Sequence, residues 1–315
     1  MEKIATREAY GNTLAKLGEE NQKIVVLDAD LSKSTMSYKF AEKFPERFFQ
    51  CGVAEANMIG MAAGLANSGK IPFASTFAVF ATGRVWDQIR VSVAYSRSNV
   101  KIAGTHAGIT VGEDGATHQC LEDIALMRVI PGMTVLVPAD GVETEQVVRA
   151  AAEYVGPVYI RLGRLPTPII YNNEYKFKIG KANLLKEGKD VTIIACGTMV
   201  YEALQSAEIL AKEKITASII NMSTIKPLDK ETIIESARKT GAVVTAEEHN
   251  IIGGLGGAVS EVLAENVPVP MKRIGINDSF GESGKPAELL KKYKLTAEDI
   301  ADACKEVIGV KKRLR

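Results

Sequence analysis

The sequence has few cysteines, histidines and aromatic residues, and these scarcities exclude several kinds of site. Its 315 residues include four cysteines and three histidines, and aromatic residues make up 6%. The cysteines lie far apart without a CxxC spacing, which indicates free thiols rather than disulfides or a zinc centre. We therefore expect a cytoplasmic protein. The cysteines are Cys51, Cys120, Cys196 and Cys304.

An excess of one charge is also missing. Lys and Arg total 39 against 38 Asp and Glu, so the composition offers no basic surface for nucleic acid or an anionic membrane. The basic run VKKRLR at the C-terminus is interpreted as a solvated tail. The sequence contains no apolar run of roughly eighteen residues, and MEKIATREAYGN lacks the apolar core of a signal peptide. We expect neither a nucleic-acid nor a membrane partner.

Strand-like and helical patterns alternate along the chain, which predicts mainly parallel sheets in an α/β fold. The length suits two domains. We predict one α/β domain over residues 1–171, a polar linker over 172–188 and a second α/β domain over 189–315, with eight or nine strands in all. TREAYGNTLAKLGEEN is predicted to form a helix capped by its first Thr, and RVWDQIRVSVAYS an amphipathic helix.

Glu55 is the only carboxylate in the stretch CGVAEANM and is followed by a long apolar segment. A carboxylate at the start of a helix is a common arrangement, because it interacts favourably with the helix dipole. The alternative is a buried acid that manages a specific proton. The sequence leaves both interpretations open.

Two histidines flank the polar, glycine-rich loop THAGITVGEDGATHQ. His106 directly follows a predicted strand, at the carboxyl end where ligands bind in α/β sheets. His118 comes twelve residues later, and imidazole is suited to proton transfer near neutral pH. Gly112 and Gly115 would permit a tight turn around Asp114.

Aromatic and basic side chains follow other predicted strands. Phe77 and Phe80 lie where the sheet should open to a ligand, which suits stacking on a flat ring as well as an ordinary core role. Arg161 and Arg164 lie at and just after the end of the strand PVYI. Either could bind a phosphate or carboxylate. By contrast, GGLGG at 253–257 departs from GxGxxG and follows two glutamates, so we interpret it as close helix packing, with His249 as a structural or interface residue.

Several of these stretches together closely resemble transketolase, a thiamine-diphosphate enzyme. The matching stretches are GVAEANMIGMAAGLA, ASTFAVF and GTHAGITVGEDGATHQ, with IRLGR and ATREAYG. The resemblance covers nearly the whole chain but only the second half of the usual enzyme. It implies a thiamine-diphosphate pyrimidine-binding fold followed by the transketolase C-terminal domain.

The GDG…N motif, which binds the diphosphate and its metal in this family, is absent from the sequence. The resemblance therefore implies the C-terminal subunit of a split transketolase. An N-terminal subunit carrying that motif would supply the contacts to thiamine diphosphate and to Mg²⁺ or Ca²⁺, and each chain would be inactive alone. The expected assembly is a heterotetramer with self-association through the C-terminal half of this chain. Its reaction would transfer a two-carbon ketol unit between sugar phosphates.

The resemblance also implies cofactor contacts. In this family, the glutamate at the position of Glu55 hydrogen-bonds a ring nitrogen of the aminopyrimidine and favours the imino tautomer of that ring. This role would explain why a single acid lies within an apolar stretch. Phe80 is expected to stack on the same ring, with Phe77 lining the pocket.

Substrate contacts follow in the same way. His106 and His118 are expected to assist proton transfers and to bind sugar oxygens, and Asp114 to contact the hydroxyl next to the carbonyl. Arg7 and Arg164 match arginines that bind the sugar phosphate, with Arg161 as an alternative to Arg164.

Two positions depart from the family pattern. Gly83 replaces a tyrosine that commonly follows the aromatic pair, so the pocket wall is expected to be thinner or filled by a neighbour. Asp28 is assigned to the place of a phosphate-binding serine, where an acid would disfavour a phosphate.

Three other functions remain as alternatives. A deoxyxylulose-phosphate synthase shares a similar loop but usually has an arginine at the position of His106. The β subunit of a 2-oxoacid dehydrogenase also pairs with a diphosphate-binding partner but lacks GEDGATHQ. A non-catalytic regulatory subunit would not need Glu55 and both histidines.

Overall fold

Fourteen strands in three sheets are present in residues 2–172 and 174–314, the part of the chain that the computed structural model describes. The nine strands expected from sequence are there, and the five additional ones have only three or four residues, too few for a clear alternating pattern. The strands are β1 (Lys3–Ala5), β2 (Ile24–Asp28), β3 (Phe48–Gln50), β4 (Ile71–Phe77), β5 (Lys101–Thr105), β6 (Thr134–Leu136), β7 (Val158–Arg161), β8 (Pro166–Pro168), β9 (Asn183–Lys186), β10 (Val191–Ala195), β11 (Ala217–Asn221), β12 (Thr224–Lys226), β13 (Val243–Asn250) and β14 (Met271–Ile276).

Helices connect most of the parallel strands. The α-helices are α1 (Thr6–Glu20), α2 (Ser32–Thr35), α3 (Tyr38–Lys43), α4 (Glu55–Asn67), α5 (Ala78–Thr82), α6 (Trp86–Gln88), α7 (Asp123–Arg128), α8 (Gly141–Glu153), α9 (Met199–Lys212), α10 (Lys230–Thr240), α11 (Leu255–Asn266), α12 (Pro286–Lys292) and α13 (Ala297–Arg313). Within the described ranges, no helix is both long and apolar enough to cross a membrane.

The first sheet has seven strands in the order β12-β6-β7-β5-β4-β2-β3. Six of them run parallel, whereas β12 is antiparallel to β6 and comes from the second half of the chain. All residues of β2 and β5 are buried, as expected for central parallel strands covered on both faces. The carboxyl ends of β4 and β5 lie side by side, with Phe77 opposite Thr105.

The second sheet has the order β14-β13-β10-β11-β9, parallel except for β9. The predicted fold class, two consecutive α/β domains with mainly parallel sheets, is confirmed. Residues 183–186 had been predicted as linker but form the edge strand β9. Asn173, also within the predicted linker, lies outside the described residues.

The two halves of the chain share one apolar core. A single buried cluster contains Leu27 and Ile102 from the first sheet together with Ile194 and Val259 from the second half. Burial of this shared apolar surface stabilises the placement of one sheet against the other. Loops from the second half can therefore hold loops at the edge of the first sheet in fixed positions.

One local prediction about helices was wrong, and another was right about the helix but not about its type. Thr6 does not cap α1: the helix begins at Thr6 itself, and the Thr6 hydroxyl accepts a hydrogen bond from the Gly163 N–H at 2.8 Å. The segment RVWDQIRVSVAYS forms the short α6 followed by a π-helix over Ile89–Tyr95. In the first case, the Thr6 hydroxyl binds the distant Gly163 N–H instead of the start of its own helix. In the second case, the helix changes from α to π type.

Candidate active site

The carboxyl edge of the first sheet brings together the predicted cofactor and substrate residues. Glu55 is the first residue of α4, Phe77 is the last residue of β4, and Phe80 lies in α5. His106 directly follows β5, as predicted. These positions place one carboxylate, two phenyl rings and an imidazole near the strand ends, where α/β sheets bind ligands.

Four rings form one cluster at this edge. The His106 imidazole stacks on Phe77 with centroids 3.8 Å apart, and Phe77 lies parallel to Phe80 at 5.9 Å. His118 presents its ring at a steep angle to Phe80 at 5.6 Å. Phe77 and His106 are buried, whereas Phe80 and His118 are half-buried. The half-buried rings leave the cluster accessible to a flat ligand.

The Glu55 carboxylate is almost fully buried at 4% exposure. Both of its oxygens lie 3.3–3.4 Å from Nη1 of Arg84, and no other donor reaches them within the described residues. The Arg84 guanidinium lies over the Phe80 ring, 4.3 Å from its centroid. A buried carboxylate needs such a partner, because an unpaired charge is costly to bury. Glu55 is therefore both a helix-start carboxylate and a buried acid.

His106 is held in an unusual conformation as an uncharged ring. Its φ of 55° lies in the left-handed region, where residues other than glycine are uncommon and often functional. Nδ1 lies 3.0 Å from the Thr105 hydroxyl. Burial, reinforced by the charges of Arg7 and Arg164, lowers the pKa of His106 to about 3. The ring is accordingly suited to forming hydrogen bonds as an uncharged group and is a weak proton acceptor near neutral pH.

The His106 ring is expected to remain neutral from neutral pH down to about pH 4. The unfolded chain takes up this proton below about pH 6.5, so the contribution of His106 to stability is complete above that pH. It is lost as the pH falls towards the folded pKa of about 3. NMR titration of the three labelled histidines measures this directly. His106→Asn assigns the signal and should reduce the acid sensitivity of unfolding, and a His106 midpoint near 6.5 would contradict the structure.

The loop between the histidines folds back on itself through two glycines. Gly112 has a φ of 83° and Gly115 a φ of 76°, which confirms the predicted tight turn and favours glycine at both positions. The intervening Asp114 is exposed, and His118 Nδ1 lies 2.9 Å from the Thr117 hydroxyl. The turn leaves the His118 ring against Phe80 and the Asp114 carboxylate 3.7 Å from Arg164.

The second half of the chain anchors this loop through residues that the sequence did not single out for the site. The Glu248 carboxylate accepts the Thr110 N–H at 2.6 Å and the Thr198 hydroxyl at 2.8 Å. Gln119 Nε2 donates to the Glu282 carbonyl at 2.9 Å, and the Ser283 hydroxyl donates to the Glu113 carbonyl. These bonds fix the His106–His118 loop against the second sheet. Their partners are more than 80 residues apart in sequence, except for Thr198, which lies 50 residues from Glu248.

Two arginines form a cationic end of the site. Arg7 donates through Nε to the Arg164 carbonyl at 3.1 Å and through Nη1 to the Ser34 carbonyl at 2.7 Å. Burial and the nearby charge of Arg164 lower the pKa of Arg7. The Arg164 guanidinium donates to the Val111 carbonyl and lies 3.7 Å from Asp114. The Glu113 and Asp114 carboxylates lie 3.7–4.0 Å from the Arg164 guanidinium, so an anion that binds between the two arginines competes with these carboxylates.

Asp28 does not present a charge to this cationic end. It is fully buried and accepts hydrogen bonds from the Leu31 N–H and from the Thr35 and Ser37 hydroxyls at 2.6–2.9 Å, and burial raises the pKa of its carboxyl. Asp28 therefore orders the loop that follows it. The backbone carbonyl of Ser34, rather than Asp28, contacts Arg7, and the expected effect of Asp28 on a phosphate stays a prediction.

Arg161 is not an alternative to Arg164. Its side chain is buried, donates to the Asp123 carboxylate at 2.8 Å and donates to the Glu248 carbonyl at 2.8 Å. A buried, paired guanidinium of this kind ties elements together and is costly to disturb. Arg161 therefore joins the two halves of the chain, and Arg164 is the strand-end arginine that remains partly exposed.

The glycines at 253–257 pack closely, as interpreted from sequence. A Cβ on Gly254 would meet Glu247 Oε2 at 2.0 Å, and one on Gly256 would meet the Arg273 side chain at 2.9 Å. The N–H groups of Leu255 and Gly256 donate to the Glu247 carboxylate at 2.7–2.8 Å. This internal carboxylate occupies the anion-binding N-terminus of α11, which a phosphate would otherwise favour.

Family models match both halves of the chain. Residues 2–168 match the transketolase pyrimidine-binding domain, and residues 180–300 match the transketolase C-terminal domain. A Methanocaldococcus jannaschii protein, provisionally named as a transketolase C-terminal section, is 58% identical over 298 residues, which cover 94% of this chain and 93% of that protein.

A solved structure and a longer relative add to this comparison. The structure, described as a split-gene transketolase in an inactive β4 tetramer, has a TM-score of 0.92 and 57% identity and covers 98% of this chain and 99% of that one. Human transketolase is 44% identical over 311 residues, which cover 98% of this chain and 49% of the human protein. The chain therefore spans about half the length of the human relative.

Proposed function

We propose, from the premise that this chain belongs to the transketolase family, that it is the C-terminal subunit of a split transketolase. The assembled enzyme transfers a two-carbon ketol unit from a ketose phosphate to an aldose phosphate with thiamine diphosphate as cofactor. One observation carries the proposal: the buried Glu55 carboxylate and the half-buried Phe80 ring lie together at the carboxyl edge of the first sheet, joined by one flat guanidinium group. Residues 1–171 form the pyrimidine-binding domain, and 189–315 form the C-terminal domain.

The residues at this edge fit the aminopyrimidine half of thiamine diphosphate. A flat guanidinium already lies over Phe80 and pairs with Glu55, so the site accepts a planar, nitrogen-bearing group. The Glu55 carboxylate accepts a hydrogen bond from a ring nitrogen and stabilises the proton on that nitrogen. Phe80 and Phe77 provide the apolar wall. When bound, thiamine diphosphate supplies the carbon nucleophile of ketol transfer.

A partner subunit supplies the remaining half of the cofactor site. This chain has no GDG motif and covers 49% of human transketolase, so we assign the diphosphate and Mg²⁺ or Ca²⁺ contacts to an N-terminal subunit with a GDG…N motif. The half-buried Phe80 and His118 and the exposed Asp114 are then covered on assembly. A description of the 57% identical relative as an inactive β4 tetramer supports the need for that partner.

The sugar phosphate lies across the histidine loop towards the two arginines. Arg7 and Arg164 bind the phosphate, because guanidinium groups form strong charge-assisted bonds with phosphate oxygens. His106, as a neutral ring, forms a hydrogen bond with a sugar oxygen, and His118 exchanges protons at the open side. Asp114 binds the hydroxyl next to the carbonyl.

Ketol transfer is expected only when both subunits are present. Transfer from xylulose 5-phosphate to ribose 5-phosphate is measured with thiamine diphosphate and Mg²⁺ for this chain, for the partner subunit and for the mixture. Size-exclusion chromatography establishes whether the complex forms. Activity of this chain alone would contradict the assignment to a split enzyme, and an inactive complex that binds cofactor would contradict the assigned reaction.

A further inference from the structure

Arg84 makes both contacts that the proposed function assigns to the aminopyrimidine ring. Its guanidinium lies 4.3 Å from the centroid of Phe80 and 3.3–3.4 Å from both Glu55 oxygens. Arg84 therefore joins the aromatic face and the buried acid in one contact. Nothing in the local sequence around Arg84 indicates that it lies over Phe80.

A guanidinium and a protonated aminopyrimidine have similar chemistry. Both are flat, both stack on aromatic faces, and both donate N–H groups to a carboxylate. Glu55 is 4% exposed, so its oxygens have little room for two such partners at once. A ring that stacks on this face of Phe80 and binds Glu55 must displace the guanidinium.

We infer that Arg84 is an internal competitor of the cofactor, which occupies the aminopyrimidine place in the cofactor-free chain and swings out when the cofactor binds. This inference rests on the proposed function, because that function decides which ring Glu55 and Phe80 receive. In the cofactor-free chain, Arg84 neutralises the buried Glu55 and covers Phe80. Cofactor binding must break the contacts of Arg84 with Glu55 and Phe80, and the free energy of breaking them lowers the apparent affinity for the cofactor.

The surroundings of Arg84 permit that movement. The residue lies in the turn between α5, which ends at Thr82, and α6, which begins at Trp86. Its side chain is 51% exposed, so the guanidinium can enter solvent by rotation about its own side-chain bonds. The preceding residue, Gly83, has no side chain.

The position of Arg84 allows a second interpretation, in which the residue stays in place and helps bind the cofactor. The two roles give opposite results in a binding measurement. Removing a competitor tightens binding of the cofactor, whereas removing a binding residue weakens it. Affinity therefore separates the two interpretations without any measurement of activity.

The test measures the dissociation constant of thiamine diphosphate, with Mg²⁺, by calorimetry on the complex of this chain with its partner subunit. Arg84→Ala is expected to tighten binding about 3- to 10-fold, and Arg84→Lys, which keeps the charge but loses the flat stacking group, by less. Arg90→Ala is the matched control, because Arg90 is an exposed arginine six positions further along and should leave the constant unchanged.

A chemical rescue provides a second readout. Methylguanidinium at millimolar concentration should refill the vacated place in Arg84→Ala and weaken cofactor binding again, with little effect on the parent complex. Tetramethylammonium, a cation that is neither flat nor a hydrogen-bond donor, is the control. Thermal unfolding of each variant without cofactor shows whether it folds.

Each result has a defined meaning. Equal or weaker binding by folded Arg84→Ala overturns the inference, and the proposed function stands if Glu55→Gln still weakens binding. A complex that binds no cofactor in any form, or binds it equally well with Glu55→Gln, overturns the proposed function itself. Tighter binding together with rescue by methylguanidinium supports the competitor role of Arg84.

Discussion

Glu55→Gln is expected to reduce ketol transfer by the assembled enzyme by about 100- to 10,000-fold, the range typical for loss of a group that controls a proton. Glutamine keeps the size and polarity of the side chain but carries no negative charge. It cannot stabilise a proton on the ring nitrogen in the way that a buried carboxylate does. The largest loss is expected in kcat, because Glu55 controls the protonation state of the ring in addition to binding it.

The measurement combines turnover with assembly. kcat and KM are determined for the complex, and size-exclusion chromatography shows that the variant still pairs with its partner. Glu46→Gln is the matched control, since Glu46 is an exposed glutamate whose side chain contacts Arg47. Activity within a few-fold of the parent enzyme, in a complex with bound cofactor, would show that Glu55 does not control this proton.

Arg164→Leu is expected to raise KM for phosphorylated sugars by about 10- to 100-fold, since a hydrogen bond to a charged group contributes about 1.5–3 kcal/mol. Arg7→Leu should act in the same direction, because the Arg7 guanidinium lies against the Arg164 backbone and Ser34. Both arginines lie at one end of the site, away from Glu55 in the proposed arrangement. kcat at saturating substrate should therefore change less than KM.

Unphosphorylated donors provide the internal comparison for these variants. They should react equally slowly with the parent enzyme and with Arg164→Leu, because they have no group for this arginine to bind. Arg149→Gln, at a surface arginine paired with Glu20, is the control. A phosphate bound between the arginines should also raise the pKa of His106, since their charges help to lower it. An unchanged KM would remove Arg164 from the substrate site.

Much of the fold and the composition of the candidate site could be predicted from sequence. Short apolar runs such as those of β2 and β10 predict buried strands, and the alternation of such runs with helical segments predicts parallel pairing. The glycines around Asp114 predicted a turn, since their positive φ values suit residues without a side chain. Glu55, Phe80 and His106 are candidates from sequence because each stands beside a predicted strand end or at the start of a predicted helix.

Other structural features could not be predicted from the sequence, because they depend on residues that are distant in the chain. The strand β12 joins the first sheet from the second half, and β9 forms within a stretch that is polar enough for a linker. Thr6 has the residue type of a helix cap, yet its hydroxyl binds the Gly163 N–H. A local pattern cannot report a partner more than 150 positions away.

The sequence by itself determined the α/β class, the strand ends that carry the candidate residues and the resemblance that assigns their roles. Local periodicity and short motifs carry this information, because they are set by neighbouring residues. Only the tertiary structure decided that Glu248 holds the histidine loop, that Asp28 is turned into its own loop and that Arg84 lies over Phe80. These contacts arise from packing between separate elements, where burial selects a polar or charged partner from anywhere in the chain.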